Sequence, residues 1–198
     1  MARVRARPLI AVLAVTLIVS ALAGFALSRG DQTDDTASDA VQLDTPGTFD
    51  EPGAIPTAPE VVGLRLPDVT VRTLDGSDVS LGALTGQPLV INLWYSSCVP
   101  CKKELPDFAA VHRDIGDEVR FVGLNLQDGA DRAERFAREA GVGYEILLDP
   151  EQQTSVALDI AIFPTTLFVD GSGRIVELHQ GALTADELRA AIADKLRV

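Results

Sequence analysis

The chain has 198 residues, 46% of them hydrophobic, and 17 basic against 29 acidic side chains give a formal net charge of −12. That length and apolar content suffice for one ordinary domain with extensions, and no period of about 20 to 50 residues marks a repeat array. The acid excess argues against nucleic acid as a partner, because phosphates are held by Lys and Arg. It serves solubility, or attraction to basic partners.

Arg3, Arg5, Arg7 and Arg29 flank an uncharged run of 19 residues from Leu9 to Leu27. At about 1.5 Å per residue such a run just crosses a hydrocarbon core of ~30 Å, so residues 1–29 read as a signal-anchor. Ala21-Leu22-Ala23 also fits a small-residue cleavage site, and a signal peptide removed near Ala23 is the alternative. No cysteine follows the run to carry a lipid. In either case the basic flank stays inside and the rest is exported. Without those four arginines, 13 bases face the 29 acids, a balance of about −16. Residues 30–60 hold eight acids, four prolines and no Lys or Arg, the composition of a disordered acidic linker. A folded domain is expected over residues 61–198.

Within it, "LPDVTVRTLDGSDVSL" alternates apolar and polar residues around Asp75-Gly76 and reads as a β-hairpin. "PLVINLWY", Pro88 to Tyr95, is a continuous apolar run suited to a strand buried on both faces. Cys101, Leu105, Phe108, His112 and Ile115 then recur at helical spacing, in a helix that Pro106 should bend. "VRFVGLNL" is a second buried strand, "GADRAERFAREAG" a helix stopped by Gly141, and "YEILLD" a further strand. Pro150 is expected to open a helix over "PEQQTSVALDI". "TTLFVD" and "RIVELHQ" flank Gly171-Ser172-Gly173 as a second hairpin, and a last helix starts at Thr184, with Glu187 completing a capping box. Strands alternating with helices imply an α/β fold whose mixed central sheet carries helices on both faces.

The only two cysteines, Cys98 and Cys101, stand in "LWYSSCVPCKKELP". A bridge between them closes too short a loop to stabilise the fold appreciably, so the pair points to chemistry. Cys98 lies where a buried strand meets a helix, at the electropositive end where the first N–H groups lack partners. If Cys98 is the N-cap, its sulfur accepts from the second or third helical amide; Pro100 has no N–H, which leaves Cys101 as donor. Such a bond stabilises the thiolate and lowers the pKa beneath the free value of ~8.5. Cys98 is therefore the nucleophile, with an open sulfur, and Cys101, one turn deeper, the resolving thiol. A zinc site needs about two more ligands, and neither His112 nor His179 stands at finger-like spacing. An inert disulfide is the other competitor. A peroxidase would place an activating Thr three residues before its cysteine, where Tyr95 stands. No bound metal, nucleotide or flavin is expected; the redox group is the Cys98–Cys101 disulfide itself.

"NLWYSSCVPCKKELP" and "IFPTTLFVDGSGRI" together resemble thioredoxin-fold thiol–disulfide oxidoreductases of the TlpA/ResA type, over roughly residues 61–198. The likeness implies a thioredoxin-like three-layer fold with an N-terminal β-hairpin and an inserted strand and helix, here Tyr144 to Leu158. It further implies that Pro164 is the cis-proline facing the cysteines and that Phe163 offers backbone groups to an extended substrate. Trp94, Val99 and Pro100 would border that substrate. Glu104 corresponds to an acidic residue that tunes the thiols, since a carboxylate near a thiolate raises its pKa. Three departures stand out. Asn92 replaces the buried aspartate of thioredoxin, Ser97 a common Trp, and Ile160-Ala161-Ile162 lacks the glycine of the usual "GxPT".

The resemblance implies a disulfide reductase outside the cytoplasmic membrane. It would draw electrons from a membrane-embedded thiol reductant and pass them to the disulfides of exported proteins, one family use being cytochrome c maturation. An oxidant that introduces disulfides is the second reading, and a non-enzymatic redox-sensing binding module the third.

Overall fold

The computed structural model describes residues 60–198. The signal-anchor and almost all of the acidic linker lie outside them.

The chain enters along one edge of the sheet, where Gly63 N donates to Ile175 O and Leu66 N to Gly173 O. Strands β1 (Thr70–Thr73) and β2 (Asp78–Ser80) form the expected hairpin. Its turn needs φ of +88° at Gly76, which only the missing Cβ makes easy. β3 (Leu89–Trp94) is buried at all six positions. It leads through a short loop into α1 (Val99–Ile115), which runs unbroken through Pro106. There follow β4 (Arg120–Asn125), α2 (Ala130–Glu139), β5 (Glu145–Leu148) and the short α3 (Gln153–Ala157). β6 (Thr165–Val169) and β7 (Ile175–Gln180) make the second hairpin, and α4 (Ala185–Leu196) closes the chain.

The seven strands lie in the order β2-β1-β5-β4-β3-β6-β7. β3, β4 and β5 are mutually parallel, and the remaining pairs are antiparallel. The inserted β5 therefore sits between the N-terminal hairpin and the central strands. Side chains alternate strictly along β3, and the two faces bury different sets. Val90 and Trp94 pack with Leu105 and Phe108 of α1, Ala133 of α2 and Leu188 and Ile192 of α4. Leu89, Ile91 and Leu93 pack on the opposite face with Leu66, Leu81, Leu158 and Ile160.

Local signals account for most boundaries. Thr184 accepts from Glu187 N while Glu187 accepts from Thr184 N, so both halves of the capping box are made. The helix expected from Pro150 begins later. Asp149, buried at the end of β5, reaches forward to accept from Gln153 N (2.9 Å) and Thr154 N (2.8 Å). The first helical amides are those beyond Gln152, and Pro150 belongs to the turn before them.

Candidate active site

Cys98 is the N-cap of α1, and its Sγ accepts from Cys101 N at 3.2 Å. Pro100, in the first turn, donates nothing, so the one amide aimed at the sulfur belongs to its partner cysteine. The two sulfurs are bonded to each other. Cys98 is not open as expected: it is 5% exposed and Cys101 fully buried. What the surface presents is Val99, 64% exposed, and Pro100. The reason is geometric, since an N-cap side chain folds back over the helix end whose amides it accepts.

Glu104 lies one turn beyond Cys101 on α1 and is buried. Asn92 Nδ2 of β3 donates to its Oε1 at 2.8 Å, and Leu183 N donates to its Oε2 at 3.2 Å. Burial pushes this carboxyl up to about 7, against the two hydrogen bonds that favour its charged form and with a small upward push from Asp107. Asn92 thus does not simply delete a buried acid from the strand. It faces a buried carboxyl supplied by the helix, Glu104.

β6 runs antiparallel to β3 with Leu93 opposite Thr165, which brings Pro164 to the strand end where the cysteine loop begins. The Phe163–Pro164 peptide is cis, and Pro164 is buried with its carbonyl accepting from Gly181 N at 2.8 Å. Phe163 is half-buried, its ring edge-on to Tyr95 with centroids 5.9 Å apart. Val99, Ile162 at 44% exposure and Phe163 are therefore the apolar groups available to a substrate.

Trp94 is not among them. It was expected to border the substrate, but it is 0% exposed and stacks on Phe136 of α2 with centroids 5.6 Å apart. It ends a strand buried on both faces, and its side chain points under α2. Trp94 is a packing residue.

One constellation escaped the sequence reading. Asp128, in the loop after β4, accepts from Ser96 N (2.7 Å), Ser96 Oγ (2.6 Å) and Asn125 Nδ2 (2.8 Å). Arg132 of α2 donates through Nε to Ser96 Oγ at 2.6 Å and lies 3.1 Å from Asp128 Oδ1. Asp128 and Arg132, with Asn125 behind Asp128, thereby clamp the residue two places before Cys98. Partial burial pushes the Asp128 carboxyl upward, but the bonds from Ser96 and Asn125 and the charge of Arg132 prevail and hold it below the ordinary aspartate value. The local trace of this clamp was Asn125-x-x-Asp128, an Asx turn in which Asn125 Oδ1 accepts from Gln127 N and Asp128 N.

Among the described residues no group of three His, Cys, Asp or Glu side chains is placed to hold a metal. His112 packs edge-on against Phe121 and Tyr144, and burial lowers its pKa. A surface cavity of about 650 Å³ between Leu74, Ala137, Tyr144 and Ile146 includes none of the residues around the disulfide.

A strand-to-helix cysteine pair with Cys98 at the helix mouth, a buried carboxyl one turn on and a cis-proline at the adjoining strand end, on a mixed sheet of this order, defines a thioredoxin-like thiol–disulfide oxidoreductase. Residues 62–178 match the AhpC/TSA family, and the chain belongs to that family. It is 32% identical over 147 residues to the thiol:disulfide interchange protein HelX of Rhodobacter capsulatus, covering 72% of this chain and 80% of that one. Thiol-disulfide oxidoreductase ResA of Bacillus subtilis is 28% identical over 123 residues, covering 62% and 69% of the two chains. The crystal structure of StoA from Bacillus subtilis superposes with a TM-score of 0.53 at 29% identity, over 63% of this chain and 98% of the other. The activity these comparisons support is thiol–disulfide exchange.

Proposed function

We propose that the protein works as a disulfide reductase on the outer side of the cytoplasmic membrane, held there by residues 9–27 or released after cleavage near Ala23. The apolar run behind a basic flank supports the location. So does a redox pair that must cycle where substrate disulfides persist.

Direction rests on Glu104. A dithiol protein is a strong oxidant when its reduced, thiolate form is stabilised. The Cys101 amide contributes such stabilisation to Cys98, but a carboxyl buried one helical turn from Cys101 opposes it, because its ionised form repels a thiolate. Burying an acid there favours the protonated dithiol and a reducing potential.

The cycle then has two displacements. Cys98 thiolate attacks one sulfur of the substrate disulfide, that S–S bond breaks, and the first substrate thiolate leaves and takes a proton from water. Cys101 loses its proton to the Glu104 carboxylate and attacks Cys98 Sγ. The mixed disulfide breaks, and the second substrate thiolate leaves. Two electrons have passed from the protein dithiol to the substrate, and a membrane-embedded thiol reductant must return them. Exported proteins are the substrates, including the haem-attachment cysteines of a cytochrome c.

Equilibration of the protein with glutathione over a range of ratios gives its reduction potential. A value near roughly −270 mV is expected; one near about −120 mV would assign the opposite direction.

A further inference from the structure

Beside the active-site loop lies a cavity of about 180 Å³ lined by Ser96, Lys102, Arg132, Arg135, Phe136 and Glu139. Three cations meet there in a chain of net charge −12. Elsewhere on the described surface Arg72, Arg120, Arg138, Arg189 and Lys195 each have a carboxylate partner. Among the described residues Lys102 and Arg135 have none within ion-pair distance, a state they share with Arg65, Lys103, Arg113, Arg174 and Arg197. Lys102 Nζ sits 5.5 Å from the centroid of Phe136. Arg132 is fixed differently. Its Nε is held by Ser96 Oγ, on a side chain that is itself buried, and by Asp128. Its two terminal nitrogens make no hydrogen bond among the described residues, and 61% of the side chain is exposed. An arginine anchored through Nε with its fork free is pre-organised for a two-point carboxylate bond. Glu139 is the one opposing charge on the rim.

Position says what the cavity meets. Ser96 stands two residues before Cys98 and Lys102 one turn after it, which puts this rim beside the active-site loop. We propose that the Lys102–Arg132–Arg135 cavity binds the carboxylate of an acidic residue close to the substrate's cysteine, making this an oxidoreductase for acidic peptide segments. The inference rests on the exchange activity and adds the substrate's charge to it. Repulsion between a basic-flanked substrate and the cations gives discrimination as well as attraction.

The test uses the full-length protein, reduced, with three peptides that differ only in carrying Glu, Gln or Lys on either side of one cysteine. Each peptide is presented as its mixed disulfide with neutral 2-thiopyridine. Cys98 attacks the peptide sulfur and releases 2-thiopyridone, and Cys101 then displaces the peptide thiol, leaving the protein disulfide. Thiopyridone release at low ionic strength should be about fivefold faster for the Glu peptide than for the Lys peptide, and the ratio should shrink in high salt. Arg135→Glu and Lys102→Glu, both on exposed side chains, should each reverse the order. Equal rates for the three peptides, or an order that survives both reversals, overturns the carboxylate site and leaves the exchange activity standing. Reaction with none of them removes the exchange activity and this proposal together.

Discussion

Two acids flank the active-site loop, and the fold holds them in opposite states. Glu104 lies beneath α1 with two hydrogen-bond donors and its carboxyl pushed up to about 7. Asp128 lies at the loop's other side with Ser96, Asn125 and Arg132 around it, held below the ordinary value. Burial separates them in part, since Glu104 is buried and Asp128 only partly so. The donors do the rest: Glu104 faces a neutral amide and one backbone N–H, whereas Asp128 has three hydrogen bonds and a guanidinium. One acid is free to exchange a proton near neutrality, while the other serves as a fixed charge that anchors structure.

The comparison breaks most visibly at Asp128. Asp128→Ala strands the Ser96 N, Ser96 Oγ and Asn125 Nδ2 donors at once and removes the carboxylate paired with Arg132, and should cost about 3 kcal/mol in urea unfolding. A loss below about 1 kcal/mol would mean the clamp carries no weight in the fold.

pH should separate the two acids next. In the folded state Glu104 keeps its proton up to about 7, whereas the unfolded chain releases it near the ordinary glutamate value of 4.5. Between those values the native state binds more protons, so stability falls as pH rises, by up to roughly 3 kcal/mol. Asp128 has the reverse sign. It stays ionised below 3.8, so its contribution is present above that value and lost as pH drops through the folded-state midpoint. Glu104→Gln should flatten the neutral limb of a stability–pH curve and spare the acid limb. Asp128→Asn should weaken the acid limb, which Asp75, Asp170 and Glu187 share. A neutral limb that persists in Glu104→Gln would locate the proton elsewhere.

The smallest effect is expected from Asn92→Ala. It removes the bond to Glu104 Oε1 that favours the carboxylate, so Glu104 keeps its proton to higher pH and repels a Cys101 thiolate less. The pH midpoint of Cys101 alkylation in a Cys98→Ser background should therefore move downward. An upward move would contradict the assigned donor.

Features written in adjacent residues were legible beforehand. Pro100 eliminated one amide and left Cys101 as donor to Cys98, and Thr184 with Glu187 declared a helix start. Alternating apolar runs gave the strands and the mixed sheet, and the inserted β5 with α3 fell where the resemblance placed it. What remained hidden depends on residues far apart in the chain. Ser96 meets Asp128 across 32 positions and Arg132 across 36, and no periodicity encodes such a meeting. Trp94 looked like a groove residue because aromatic type does not reveal which side of a doubly covered strand it occupies. The late start of α3 turned on Asp149, whose carboxylate outreaches the proline that seemed to mark the boundary.

The placement of β5 also sets an order of assembly. The β1–β2 hairpin closes across a few residues, but an isolated two-stranded hairpin is marginal in water. Among the described residues its only other strand neighbour is β5, joined through Arg72 with Leu148 and Thr73 with Leu147, more than half the domain away along the chain. Non-local pairings of this kind form slowly. As the chain emerges from the ribosome, its first hairpin must wait for the parallel centre to assemble before it docks, and the redox loop can mature while that flank is still loose.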